Sequence, residues 1–166
     1  MPSVETKYFG TLAYTQESVF DFAHGLPAFE EERGFVLLQP PEGTPLVFLQ
    51  SLARPSLCFL AIPALTVDED YQLAIAPEDL DELELDPGGQ PKVGAEVMVL
   101  ALISVSDEFL PTANLMAPIV LNVKNRRGLQ AIRRDSRYSH QHAVALALAS
   151  DRPGALGADG GPGAAC

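Results

Sequence analysis

Cysteine is nearly missing from this chain of 166 residues: Cys58 sits inside the apolar stretch at residues 57–62, and Cys166 is the last residue. Two thiols so placed make neither a disulfide framework nor a metal-binding spacing, and they read as one buried inert thiol and one exposed thiol. Long apolar runs are missing as well. The best candidate, residues 97–105, is about half of the roughly 20 residues a membrane helix needs, and it reads as a buried strand. Residues 1–5 carry neither a basic nor an apolar signal segment, so the expected location is the cytoplasm. Basic residues are scarce, 11 against 22 acidic, for a formal charge of -11. Such a charge repels phosphate backbones and removes the counterion-release drive for nucleic-acid binding, so no direct nucleic-acid partner is expected.

The constellations that carry catalysis are also lacking. His140-Gln141-His142 puts two imidazoles on one face of a strand, but no third ligand lies at a sensible spacing for a metal. Ser136, Ser139 and His140 form no recognised nucleophile elbow. Gly88-Gly89-Gln90-Pro91-Lys92 lacks the Gly-Lys-Ser/Thr ending of a phosphate loop, and no Gly-x-Gly-x-x-Gly follows a strand. The carboxylates between Glu78 and Asp86 would keep ordinary acidities on a water-exposed helix. These absences predict a chain that is not an enzyme and takes no metal or cofactor.

What is present suits one domain with a proper core: 47% of residues are hydrophobic and 20% charged, near globular averages. Short β-type runs recur between Gly, Pro and Asp, which predicts an all-β barrel or sandwich. Residues 4–9 and 11–14 alternate around Gly10, as one bulged edge strand or a tight hairpin. Further runs fall at 19–22, 35–38, 46–52, 57–62, 71–75, 96–105, 119–123 and 129–132. One segment reads as a short helix, Pro77-Glu78-Asp79-Leu80-Asp81-Glu82-Leu83, with proline first and carboxylates where the helix dipole favours them. Asn125-Arg126-Arg127-Gly128 reads as a hairpin loop whose Asn and Gly suit positive φ. Residues 143–150 are alanine-rich and could extend as a helix. Residues 151–166 are a Gly/Ala/Pro tract with too little apolar surface to order itself.

Four blocks, in order, carry a resemblance. They are Glu5-Thr6-Lys7-Tyr8-Phe9-Gly10; residues 20–30 with Phe35-Val36-Leu37-Leu38; residues 114–122 running on through Asn125, Gly128 and Gln130-Ala131-Ile132; and Asp135-Ser136-Arg137-Tyr138-Ser139. Together they resemble the FliW family of flagellar assembly factors. Two positions depart from the family pattern: Ala28 stands where a glycine is expected, and Ala76 where a Ser-like N-cap is expected, the second change costing the helix about 1 kcal/mol. The resemblance implies a compact β-barrel-like domain, which with the β runs above gives a mainly β, compact, antiparallel β-barrel-like domain over residues 1–145 with one short helix; the Ala/Gly/Pro-rich tail at 146–166, expected to be disordered from its composition, lies outside the resemblance. The resemblance also implies two protein partners, flagellin and the translational regulator CsrA. The protein would bind new flagellin in the cytoplasm and, once freed by export, bind CsrA away from its RNA surface and antagonise its mRNA binding allosterically.

The charge pattern suits that role. Residues 68–86 hold nine carboxylates and no Lys or Arg, and an acidic face steers a basic, RNA-binding partner while repelling RNA. Glu78, Asp79, Asp81 and Glu82 are therefore candidate docking residues, against the plainer reading of a solvated acidic helix. Lys124, Arg126, Arg127, Arg133, Arg134 and Arg137 hold six of the eleven basic residues. With only Tyr138 among them they make no stacking platform for single strands. They read as a solvated hairpin paired with acidic neighbours, or, at Arg126 and Arg127, as a protein-docking site. Asn114, Met116, Pro118 and Asn122 admit the same two readings: amides capping an edge or bulge set by the proline, or a docking edge for a partner. Phe20, Phe22, Leu26, Pro27 and Phe29 read as core and turn. Two alternatives remain, a flagellin chaperone that does not antagonise CsrA and a β-barrel ligand-binding protein or hydrolase sharing only the fold. A deep polar pocket holding His24, His140 or His142 would favour the latter, and a filled barrel would count against it.

Overall fold

Residues 2–39 and 44–144 are described by the computed structural model. The first two β runs form an antiparallel hairpin, β1 (Ser3–Thr6) with β2 (Gly10–Ala13), in the register Ser3↔Ala13. Gly10 turns it with φ 69°. Of the two readings left open for this segment, the hairpin is correct.

The next seven strands make an up-and-down ring: β3 (Val19–Asp21), β4 (Gly34–Leu38), β5 (Val47–Ser51), β6 (Cys58–Pro63), β7 (Val97–Ser104), β8 (Thr112–Asn122) and β9 (Arg127–Gln130). From β4 onward each pairs antiparallel with the strand before it. The ring closes where β9 meets β3 in one short parallel pairing, Asp21↔Arg127. It departs from the expected antiparallel pattern, as does an isolated parallel bridge from Val93 to Val97 at the start of β7. Closure removes the exposed edges that make open sheets prone to aggregate. A last short strand, β10 (His142–Ala143), lies outside the ring against the start of β8. It stands where an alanine-rich helix was expected to begin; residues 145–150, and the tail at 146–166, fall outside the described residues.

Two apolar layers explain why several strands read as unbroken hydrophobic runs. The barrel interior is filled from every ring strand up to β8 by Phe20, Phe35, Leu49, Phe59, Leu100, Ile119 and Leu121, together with Phe22 just after β3. Its rings meet edge-on, Phe22 with Phe35 at 5.2 Å and Phe29 with Phe59 at 5.6 Å. The opposite face of β7 presents Val97, Val99, Ala101 and Ile103 to a second layer with Tyr71, Leu73, Ile75, Leu80 and Leu83. A strand covered on both faces loses its polar alternation, as residues 97–103 do.

Three sequence expectations need correction. Residues 71–75 alternate buried and exposed as a strand would, yet join no sheet ladder among the described residues. The side-chain amide of Gln90 instead satisfies Ile75, accepting from its N–H at 3.0 Å and donating to its carbonyl at 3.1 Å. Second, the expected helix is α2 (Pro77–Glu82), but a one-turn helix, α1 (Ala64–Val67), precedes it. Third, β8 begins at Thr112 rather than 119, because the register slips between Leu100↔Ile119 and Leu102↔Asn114 and a bulge takes up residues 115–118. The bulge lets Pro118, which lacks an N–H, sit within a ring strand.

The β8–β9 hairpin lies where expected, but its backbone works differently. Arg126, not Asn125 or Gly128, holds the left-handed conformation, at φ 60°. Gly128 is required by close approach: a Cβ there would lie 2.7 Å from Leu121 Cδ2 and 2.8 Å from the Phe22 ring. Ala28 also has positive φ, 72°, which gives the physical reason for a glycine at that position.

Candidate functional site

The acidic helix and the basic hairpin meet. Leu80 and Leu83 anchor α2 in the second apolar layer, which turns Glu78 and Asp81 to solvent. The helix ends with Glu84 at φ 62° and Leu85 N–H donating to Leu80 O at 2.8 Å, the geometry of a Schellman stop. Its terminal carbonyls are capped from the hairpin: Asn122 Nδ2 donates to Leu83 O at 2.8 Å, and Asn125 Nδ2 donates to Leu83 O at 3.2 Å and Glu84 Oε1 at 3.0 Å. Arg127 Nε lies 3.3 Å from Glu84 Oε2. On the other flank His24 Nε2 lies 2.7 Å from Glu82 Oε1. Glu78, Asp79, Asp81, Glu82, Asn122, Arg126 and Arg127 thus belong to one region built on α2 and the hairpin.

Within that region the residues differ in what they can offer a partner. Asn122 is 5% exposed and committed to Leu83 and to Lys124 N–H at 3.0 Å. Glu78, Asp81 and Arg126 are exposed, while Asp79, Glu82 and Arg127 are half-buried. Burial, then the negative charges of Glu82 and Glu78, push the Asp79 carboxyl above its ordinary value. This corrects the expectation of ordinary acidity along the whole helix.

Met116 and Pro118 belong to the bulge, toward the other end of β8, and Asn114, paired with Leu102, stands just before it. Asn114 Oδ1 accepts from Met116 N–H at 3.1 Å and Ala117 N–H at 2.9 Å. Met116 O accepts from Arg133 N–H at 3.0 Å and Pro118 O from Ala131 N–H at 2.9 Å. Asn114 therefore satisfies local backbone, as the capping reading expected, whereas Asn122 does so only through Oδ1 at Lys124 and spends its Nδ2 on distant Leu83; Pro118 is buried.

One cluster was misread from the sequence. Arg133 is not a solvated hairpin residue: its side chain is 1% exposed. It grips Asp135 with two bonds, at 2.8 and 3.1 Å, and donates to Gln72 O. Its guanidinium lies 5.2 Å from the Tyr71 ring and 4.6 Å from the Tyr138 ring. Tyr71 Oη donates to Leu115 O, and Tyr138 Oη to Asp68 Oδ2, both at 2.9 Å. The Arg133 bonds hold the Asp135 carboxyl below the usual range, and burial pushes the Tyr71 phenol up. The available signal was the period of two through Leu129, Ala131 and Arg133, which sets the arginine on a buried face. The acidic stretch is divided as a result: Asp68 serves this cluster, whereas residues 78–84 serve the α2 region.

For small-molecule chemistry the geometry offers little. His24 and, far along the chain, His140 and His142 are all exposed, and no group of three His, Cys, Asp or Glu among the described residues is arranged to hold a metal. The barrel interior is packed with side chains, and a cleft of about 370 Å³ lies outside it, between Leu65, Leu73 and Val93. Among the described residues no helix is long and apolar enough to cross a membrane.

Comparison with known proteins agrees with the four sequence blocks. Residues 3–144 match the family described as FliW protein. The chain is 36% identical over 142 residues to the flagellar assembly factor FliW of Geobacillus thermodenitrificans, covering 85% of this chain and 94% of that protein. It is 30% identical over 142 residues to the flagellar assembly factor FliW of Bacillus subtilis, covering 85% and 95%. A crystal structure of the flagellar assembly factor FliW superposes with a TM-score of 0.73 at 32% identity, covering 86% of this chain and 96% of that one.

Proposed function

Because the chain belongs to the FliW family of flagellar assembly factors, we propose that it couples flagellin synthesis to export by binding two proteins in turn in the cytoplasm. Flagellin occupies it first; once flagellin leaves, the freed protein binds CsrA and disfavours CsrA's hold on mRNA from a site away from the RNA surface. The family match over residues 3–144 carries this reading. The surface chemistry supports it: a chain of formal charge -11 with exposed carboxylates on α2 suits encounter with a basic, RNA-binding protein and is unsuited to binding RNA itself. Glu78, Asp79, Asp81 and Glu82 are the proposed contacts on the acidic side, with Arg126 and Arg127 beside them and half-buried Met116 on the bulge. Asn114, Pro118 and Asn122 would act by holding the bulge and hairpin in shape.

Competition tests the scheme. Immobilised protein should retain purified CsrA, and added flagellin should release it. Retention of flagellin with no retention of CsrA at low salt would replace the scheme with that of a flagellin chaperone alone. The ligand-binding alternative is disfavoured by the filled interior and by the exposure of all three histidines.

A further inference from the structure

Residues 71–75 alternate as a strand does but have no neighbouring strand among the described residues, and the two edges of this segment differ. On one edge the carbonyls are used: Gln72 O accepts from Arg133 Nη1, and Ala74 O from Arg134 N–H at 2.7 Å. On the other, Ile75 exchanges two bonds with the side-chain amide of Gln90, the pattern of a hydrogen-bonded residue pair in an antiparallel sheet. Backbone groups two positions apart point to the same edge, so the N–H and carbonyl of Leu73 face the Gln90 side. Among the described residues neither has a hydrogen-bond partner. Leu73 is 7% exposed, and a buried main-chain donor and acceptor left without partners are rare.

The cleft of about 370 Å³ lies on this side, where Leu73 and Gln90 line it together with Leu65, Pro91 and Val93. Pro91 has no N–H to offer across it. Leu65 is partly exposed and Val93 half-buried, so an apolar hollow adjoins an unpaired strand edge. That combination fits an extended peptide, whose main chain pairs with the edge while alternate side chains enter the hollow. We propose that Leu73 is a strand-addition site, at which an extended basic segment of another protein pairs with the Leu73 N–H and carbonyl and sets an apolar side chain among Leu65, Leu73 and Val93. Gln90 already holds the next pairing position, at Ile75, so the added strand is short. The basic character follows from charge. Exposed Glu69 and Asp70 lead into the edge, against Lys92 on the opposite wall, and the whole chain has a formal charge of -11. The site uses none of the residues proposed above as CsrA contacts and does not depend on that scheme.

The probe is the peptide acetyl-Lys-Val-Lys-Leu-Lys-Val-Lys-amide, titrated into the full chain while the amide signals are followed by NMR. At millimolar peptide the Leu73 amide should move downfield and exchange with solvent at least about tenfold more slowly. Methylating the nitrogens of the peptide's valines and leucine, which face the edge, should abolish binding. Methylating those of its lysines, which face away, should leave affinity within about threefold. Leu65→Lys, a change at a partly exposed position, should weaken binding about tenfold through lost apolar contact and added like charge. An unmoved Leu73 amide at millimolar peptide overturns the proposal. Equal binding of the two methylated peptides also overturns it, since charge alone would then attract them, and full affinity in the Leu65→Lys variant overturns the placement in the cleft. Leu73 protection that grows with protein concentration in the absence of peptide overturns it in favour of a second copy at this edge.

Discussion

The two charged regions of this molecule use the same residue types in opposite ways. On the α2 and hairpin surface, carboxylates and guanidinia stand in water, and their ion pairs, such as Glu84 with Arg127, hold half-exposed side chains. Pairs of that kind contribute roughly 0 to 1 kcal/mol. In the Arg133 cluster one guanidinium is withdrawn from solvent, set against a packed pair of tyrosine rings and doubly bonded to Asp135. There the charge ties residues 68–72 and 133–138 to β8, and removing one member strands the rest. Solvated charge is free to meet a partner; buried charge is committed to the fold.

Breaking that contrast should give its largest effect at Arg133. Arg133→Ala should destabilise the protein by about 3 kcal/mol, read as a shift in the denaturation midpoint. Arg133→Lys should recover little of it, because an ammonium cannot make the two-bond fork or lie flat against the rings. A midpoint within about 0.5 kcal/mol of the native protein would return Arg133 to the solvated class. At the exposed region the expectation is reversed: Glu78→Lys with Asp81→Lys should leave stability within about 0.5 kcal/mol while slowing association with CsrA about tenfold at low salt, an effect that fades as salt rises. Unchanged association across a salt series would remove α2 from the proposed interface.

Backbone strain gives smaller effects. Ala28→Gly should stabilise by roughly 0.5 to 1 kcal/mol, relief of the left-handed strain being partly offset by the added freedom of the unfolded chain. Ala76→Ser should add about 1 kcal/mol, since the N-cap of α2 has no side-chain hydrogen bond. Either substitution being destabilising would mean that the local geometry is not the one described.

The smallest effects are in pH dependence, and the two regions differ in sign. Asp135 has a lowered folded pKa, so its contribution is present above the ordinary carboxylate range and is lost as pH falls through the lowered value. Asp79 has a raised one, so its ionisation opposes folding above that value, and the opposition disappears once the pH is low enough to protonate it in both states. Denaturation at pH 7 and at pH 3 should therefore show the cost of Asp135→Asn shrinking on acidification, and the benefit of Asp79→Asn shrinking likewise. A benefit of Asp79→Asn that grew on acidification would reverse the sign assigned to that group.

Much of the fold was legible because its signals are local. Strand periodicity located all the ring strands, and the Pro77 start with its carboxylates located α2. Non-local contacts escaped. Residues 71–75 carry a strand's alternation, but the amide of Gln90, fifteen positions on, takes the place of a neighbouring strand. The bulge at 115–118 was suggested by Pro118, although the length of β8 around it was not. The positive φ of Arg126 replaced the one expected at Asn125 or Gly128, because the Phe22 ring, brought in from β3, decides what Gly128 is for. The acidic and basic segments were visible one at a time; that α2 and the hairpin touch, while Arg133 turns inward, depends on how the ring closes.

The most direct test of the proposed role is titration of the protein into a preformed complex of CsrA and its target RNA, followed by fluorescence anisotropy of the labelled RNA. Anisotropy should fall to that of free RNA as the protein saturates CsrA, and added flagellin should restore it. RNA that stays bound to CsrA at saturating protein would contradict the account.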